Sequence, residues 1–199
     1  MLSFAKTFHK LGFLVHGMFI WGYPLKEDVN LEITVKERIK RIKNFIRKAK
    51  LDTVQVMLPV ALPGTELRRR LEKQNRIYPI QDVGWEYYDG NFPLFEPDEP
   101  MSAEQMLVSI KRIMGTFYQF KYMFMIGLNI FSFPALVFFF HNIRLGWKRW
   151  YRPWRNYLLR FGGWITMREW ASELKKDKFS QKLQKAKEHL KMTKTGRHA

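Results

Sequence analysis

The sequence predicts an α/β fold: two parallel strands joined through a helix, followed by a long helical, aromatic-rich tail. Three observations predict it. Two short apolar runs of strand length lie at 13–21 and 51–58, a basic amphipathic stretch separates them, and an uncharged run passes into mixed aromatic and basic residues after position 120. The 199 residues, 46% hydrophobic and 16% aromatic, suffice for one ordinary domain with an appendage and exclude a disordered polyampholyte. There is no cysteine, so this chain by itself offers no disulfide scaffold, Cys-ligated zinc, iron–sulfur ligation or thiol catalysis.

Residues 3–10 read as the end of a helix stopped by Gly12. The run Phe13 to Trp21 has the nearly continuous apolar character of a strand buried on both faces, and Gly22-Tyr-Pro24 ends it. The same run after two lysines also resembles the start of a signal peptide, but no small-x-small cleavage site follows. Thr34 and Glu37 have capping-box spacing, and Val35, Ile39, Ile42, Ile46 and Ala49 then repeat at helical intervals, predicting a helix over about 35–50. Its Lys- and Arg-rich opposite face suits solvent better than phosphate.

Leu51 to Leu58 is the second strand, 59–65 a turn, and Glu66 to Lys73 a second basic helix; strand, helix, strand within such a span is a βαβ unit. Residues 76–100, rich in Pro, Gly, Asp and aromatics, read as an ordered irregular excursion. Ser102 and Gln105 cap a helix whose apolar face is Met106, Leu107, Ile110, Ile113, Met114 and Phe117. The uncharged run 122–140 just reaches the length of a membrane span, although Pro134 argues equally for two helices broken there and covering a core. Residues 144–155 mix basic side chains with Trp and Tyr, the composition of a headgroup layer, and Lys148, Arg149, Trp150, Arg152, Trp154 and Arg155 are the candidate membrane-surface residues. Residues 171–199 read as a polar, Lys-rich helix fraying into a disordered end.

Charge is distributed unevenly within the net +17. Residues 1–50 hold 11 basic and 4 acidic groups, 51–100 hold 5 and 9, and 141–199 hold 16 and 4. Such a basic tail implies an anionic partner: phospholipid headgroups, an acidic protein surface or, the weakest of the three because charge alone supports it, nucleic acid. No chemistry-bearing motif emerges from spacing. The five histidines lack metal-ligand spacing, and His16 in an apolar strand reads as a hydrogen-bonded core residue. No triad, phosphate-binding glycine loop or dinucleotide fingerprint is present. The acidic cluster Asp82, Glu86, Asp89, Glu96, Asp98 and Glu99 lacks an EF-hand pattern and reads as a loop.

A resemblance adds to this reading. Val15-His-Gly-Met-Phe-Ile-Trp-Gly-Tyr-Pro24, a basic helix, Val54-Gln-Val-Met-Leu-Pro59, Leu62-Pro-Gly-Thr-Glu-Leu67 and Arg76-Ile77 follow one another as in the second half of a radical S-adenosylmethionine domain. Trp85-Glu-Tyr-Tyr-Asp-Gly90, Phe95-Glu-Pro97, Met101-Ser-Ala-Glu104 and Phe117-Tyr118 then follow in the order of its cobalamin-binding-domain-containing subgroup, so that the likeness covers about residues 5–120. The resemblance implies the C-terminal part of a partial (β/α)6 TIM-like barrel, with 13–22 and 51–58 as its fifth and sixth strands. It also implies that Ile20, Trp21, Gly22, Leu58 and Pro59 lie beside the adenosyl group; no catalytic or metal-ligating residue is carried over.

S-adenosylmethionine, a 4Fe-4S cluster and cobalamin are implied by the family only. The chain lacks the family's CxxxCxxC loop, first four strands and cobalamin domain, and Leu25, Lys26 and Glu27 stand where members often carry Gly and Glu. The expected organisation is 1–75 as barrel βα units, 76–120 as an excursion and closing helix, 121–170 as a hydrophobic and aromatic-basic helical region and 171–199 as the polar end. The expected function is a fragment of a cobalamin-dependent radical enzyme, such as a methyltransferase, inactive alone. Its partner would be a separately encoded N-terminal half, or else the chain is a truncated gene product. The alternative is a non-enzymatic protein of the membrane surface anchored by 138–155. Either would sit in the cytoplasm, the second at the inner face of the membrane.

Overall fold

The computed structural model describes residues 1–25, 33–140, 143–175 and 177–195, with side chains described outside 133–149 and 177–179. The fold is α/β and mostly helical, with two parallel strands in an open sheet. In order come α1 (Leu2–Lys10), β1 (His16–Ile20), α2 (Val35–Ala49), β2 (Thr53–Met57), α3 (Glu66–Lys73), α4 (Ile80–Val83), α5 (Ala103–Phe117), α6 (Lys121–Phe140), α7 (Ile143–Glu173) and α8 (Asp177–Thr195).

The helices begin where local chemistry satisfies their first amides. Thr34 Oγ1 accepts from Glu37 N (3.2 Å) at α2, Thr65 Oγ1 from Arg68 N (3.2 Å) at α3, and Ser102 Oγ from Gln105 N (3.2 Å) at α5. At α5 the box is reciprocal, because Gln105 Oε1 accepts from Ser102 N. Glu37 instead pairs with Arg41 one turn on. Gly12, at φ +89°, ends α1 as expected, with Phe13 N donating back to Phe8 O.

The chain divides into two compact units: residues 1–17, 44–55 and 114–169 form the first, and 18–43, 56–113 and 170–199 the second. In the first, Ile46, Leu51, Val54, Tyr118 and Tyr122 are buried. The Tyr118 hydroxyl donates to Val54 O and accepts from Val54 N, both at 2.8 Å, and burial raises its pKa. In the second, Trp21, Val56, Leu58, Leu71, Tyr78, Phe92, Phe95, Met106 and Ile113 build a larger core, and burial pushes Tyr78 well above the ordinary phenol value.

Four expectations require correction. β1 is not buried on both faces: Met18 and Ile20, which share one face of the strand, are 65% and 64% exposed, and β2 is the only strand beside it among the described residues. His16 is accordingly no core residue; exposed, it hydrogen-bonds Thr53 Oγ1 at 2.7 Å. Residues 121–140 form one helix rather than two, since losing a single amide donor at position 134 does not terminate α6. Among the described residues no helix is long and apolar enough to cross a membrane.

The fourth correction concerns the C-terminal helix. α8 buries Leu183, Ala186 and Leu190, and its cations meet the acidic excursion: Lys182 pairs with Glu86 (2.6 Å), Lys185 (3.3 Å) and His189 (2.7 Å) with Asp82, Lys187 with Glu104, and Lys194 with Glu96 (2.5 Å). The excess of acid in 51–100 is thus answered by the chain's own basic end. The 76–100 segment is held further by α4, a single 3₁₀ turn at 85–87 and an antiparallel bridge between Ile77 and Phe95.

Candidate functional site

The five residues proposed to face an adenosyl group lie at the C-terminal ends of the strands, within the second unit. Trp21 N donates to Met57 O (2.8 Å), extending the ladder one residue beyond β1, and Leu58 N donates to Gly90 O (2.7 Å). Trp21, Gly22, Leu58 and Pro59 are buried and Ile20 is exposed. The Arg38 guanidinium lies 5.0 Å over the Trp21 ring, while the buried indole Nε1 has no hydrogen-bond partner among the described residues. Gly22 turns the chain at φ +75°, and it is this left-handed conformation that selects glycine, since a Cβ there would meet only the movable methyl end of Met106.

Beside Gly22 opens a cavity of about 600 Å³, a volume suited to a small organic molecule. One wall is the start of α2, including Arg38; the other is the 98–101 turn with Gln105, Ser109 and Arg112 of α5. Asp98 is already engaged, accepting from Leu25 N (2.8 Å) and pairing with Arg76 (2.7 Å). Burial, and then the nearby Arg112 charge, lowers the Lys43 pKa. The resemblance named Gly22; the polar members of the α5 wall, Gln105, Ser109 and Arg112, lie off the apolar face that the helical spacing picks out. Lys26 and Glu27 lie outside the described residues.

The donor chemistry does not fit a 4Fe-4S cluster. The chain has no cysteine, and among the described residues no three His, Asp or Glu side chains come together to hold a metal. The cavity beside Gly22 fits a nucleoside in size, but the peptide N–H groups of Trp21 and Leu58 are engaged by protein carbonyls.

The aromatic-basic segment folds into α7, which runs through Pro153. Trp150 and Trp154 stack on each other (5.4 Å between ring centres), and the Trp150 indole donates to Asn129 O on α6 (2.7 Å). Arg152 is exposed, and Arg155 lies 5.8 Å over the Tyr151 ring. The side chains of Lys148 and Arg149 lie outside the described residues, as do His141 and His198. Of the acidic cluster, Asp82, Glu86 and Glu96 pair with α8 and Asp98 with Arg76.

A pairing that spacing did not reveal is His9 with Asp52. The buried Asp52 Oδ2 accepts from Val15 N (2.8 Å) and lies 2.8 Å from His9 Nε2, tying α1 to the residues that immediately precede β1 and β2. Forty-three positions separate the two residues, so only the fold brings them together. No family model, curated protein or solved structure matches this chain.

Proposed function

We propose that this chain is the closing part of a radical S-adenosylmethionine enzyme of the cobalamin-dependent subgroup, such as a methyltransferase, with β1 and β2 as the last strands of a partial (β/α)6 barrel. The observation that supports this reading is the unequal sheet: β2 is covered while β1 exposes Met18 and Ile20 and, among the described residues, pairs with β2 alone. Two strands are marginal as a sheet in water, and an apolar parallel strand normally has neighbours on both sides. The companion would be an N-terminal half whose last strand takes the free edge of β1. Cluster, electron input and cobalamin would belong to that companion. This chain would close one side of the adenosyl pocket near Ile20, Gly22 and Pro59.

Co-expression with the product of the reading frame immediately upstream tests the reading. Formation of 5′-deoxyadenosine only when both chains are present is expected. A lone chain that melts cooperatively as a compact monomer, with an upstream frame lacking a three-cysteine loop, would overturn it.

The exposed apolar face of α6, with Phe124, Leu128 and Phe131 outward, supports a second reading as a peripheral protein at the inner face of a membrane. Flotation with anionic vesicles that weakens with salt is expected on that reading; absence of flotation with anionic and neutral vesicles alike counts against it.

A further inference from the structure

A second cavity, of about 490 Å³, lies in the first unit and was assigned no role by the sequence. Four parts of the chain converge on it: His9 from α1, Gly12 and Phe13 from the turn after α1, Lys50 and Asp52 from the turn before β2, and Tyr151, Arg152, Arg155 and Asn156 from α7. Its charge is one-sided. Lys50, Arg152 and Arg155 are its basic side chains, and the lone carboxylate, Asp52, is 4% exposed with Oδ2 already shared between Val15 N and His9 Nε2.

The backbone enforces this arrangement. Lys50 follows the last turn of α2 at φ +53°, a left-handed conformation in which a non-glycine residue is uncommon. Arg155 Nε and Asn156 Oδ1 are buried, with no hydrogen-bond partner among the described residues. Buried polar atoms are ordinarily paired; Arg155 Nε, a donor, suits an anion's oxygen, whereas Asn156 Oδ1, an acceptor, needs a donor such as a hydroxyl on the molecule that carries the anionic group.

We propose that this cavity binds a phosphate monoester group. The planar Arg152 and Arg155 guanidinium groups match phosphate oxygens in geometry, and Lys50 adds a point charge. Since a carboxylate only accepts, His9 Nε2 donates to Asp52, which occupies the cavity's one acidic side chain. The phosphate is carried either by a soluble metabolite or by a lipid headgroup, and the test separates these sources.

Inorganic phosphate and glycerol 3-phosphate are titrated by calorimetry into the full 199-residue chain. Two double variants are compared, Arg152→Gln/Arg155→Gln and, as a control of equal charge change on the exposed face of α2, Lys40→Gln/Lys48→Gln; circular dichroism confirms that all three chains share the same fold. Saturable binding, weakened about tenfold or more by the arginine pair and less than about twofold by the lysine pair, is expected. In the second arm the chain is floated with vesicles containing phosphatidic acid, a monoester, or phosphatidylglycerol, a diester. Arginine-dependent preference for phosphatidic acid assigns the group to a lipid; binding of soluble phosphates without that preference assigns it to a metabolite. Equal loss in both double variants, or no saturable binding to any of these probes, overturns the proposal.

Discussion

β1 and β2 are adjacent, similar in length and rich in apolar residues, yet they meet opposite fates. On β2, Val54 and Val56 are 2% and 3% exposed, and the edge away from β1 is closed at Val54 by the Tyr118 hydroxyl and just beyond the strand by Gly90 O at Leu58 N. On β1, Met18 and Ile20 face outward and no second strand lies alongside among the described residues. The difference teaches that apolar content states a strand's need for cover, while the rest of the fold decides whether that need is met.

The comparison breaks most sharply under charge. Val56→Asp places a carboxylate without a designed partner in the second unit's core and is expected to lower stability by about 4 kcal/mol or more, enough to unfold a marginal chain. Met18→Asp, on the exposed face of β1, is expected to cost less than about 0.5 kcal/mol in the chain alone. Urea denaturation of both checks the contrast. Equal losses would mean that β1 is covered in solution, and if the proposed N-terminal companion exists, co-expression with it should make Met18→Asp as damaging as its counterpart.

Next in size is Tyr118→Phe, which leaves the N–H and C=O of buried Val54 without their shared partner. A loss of about 2–3 kcal/mol is expected, measured by the same method, with faster amide exchange at Val54. Gly22→Ala forces a side chain into a left-handed turn against Met106 and should cost about 1–2 kcal/mol.

The smallest effect is acid loosening of the cover over Leu58. Glu86 is held below its ordinary value of 4.5 by its Lys182 partner. At Glu104 burial opposes ionisation, but Lys187, its own backbone and Ser102 outweigh it, so its pKa is lowered too. A carboxylate lowered in the folded state contributes stability that is complete above 4.5 and is lost as the pH falls below that value through the folded one. Both groups are largely exposed, so screening keeps the Glu104 contribution under about 1 kcal/mol. Hydrogen exchange should show protection at Leu58 falling below pH 4.5 as α8 loosens from the loop that supplies Gly90. Unchanged protection down to pH 3 would detach α8 from the closure of β2.

Much of the secondary structure was legible because its causes are local. Thr34, Thr65 and Ser102 mark helix starts through their own hydroxyls, and α3 occupies the predicted residues without revision. What sequence could not supply were relations over long separations. Nothing in residues 177–195 says that Asp82, Glu86 and Glu96 lie against their basic side chains. The exposure of β1 was hidden for a related reason: an apolar run does not record how many neighbours it has. Of the candidate site, the pattern showed Gly22 only as the end of an apolar strand and the resemblance alone placed it at a site, whereas the α5 wall of its cavity and the His9–Asp52 pair depend on tertiary placement.

A strand edge unmatched among the described residues and flanked by outward methionine and isoleucine has a consequence for handling as well as for folding. It is a template on which another extended segment can lay down hydrogen bonds, including one from an identical molecule. Produced in excess, the polypeptide should therefore aggregate edge to edge as its concentration rises. A single lysine at position 18 or 20 should blunt that tendency more effectively than further charge at the already cationic end.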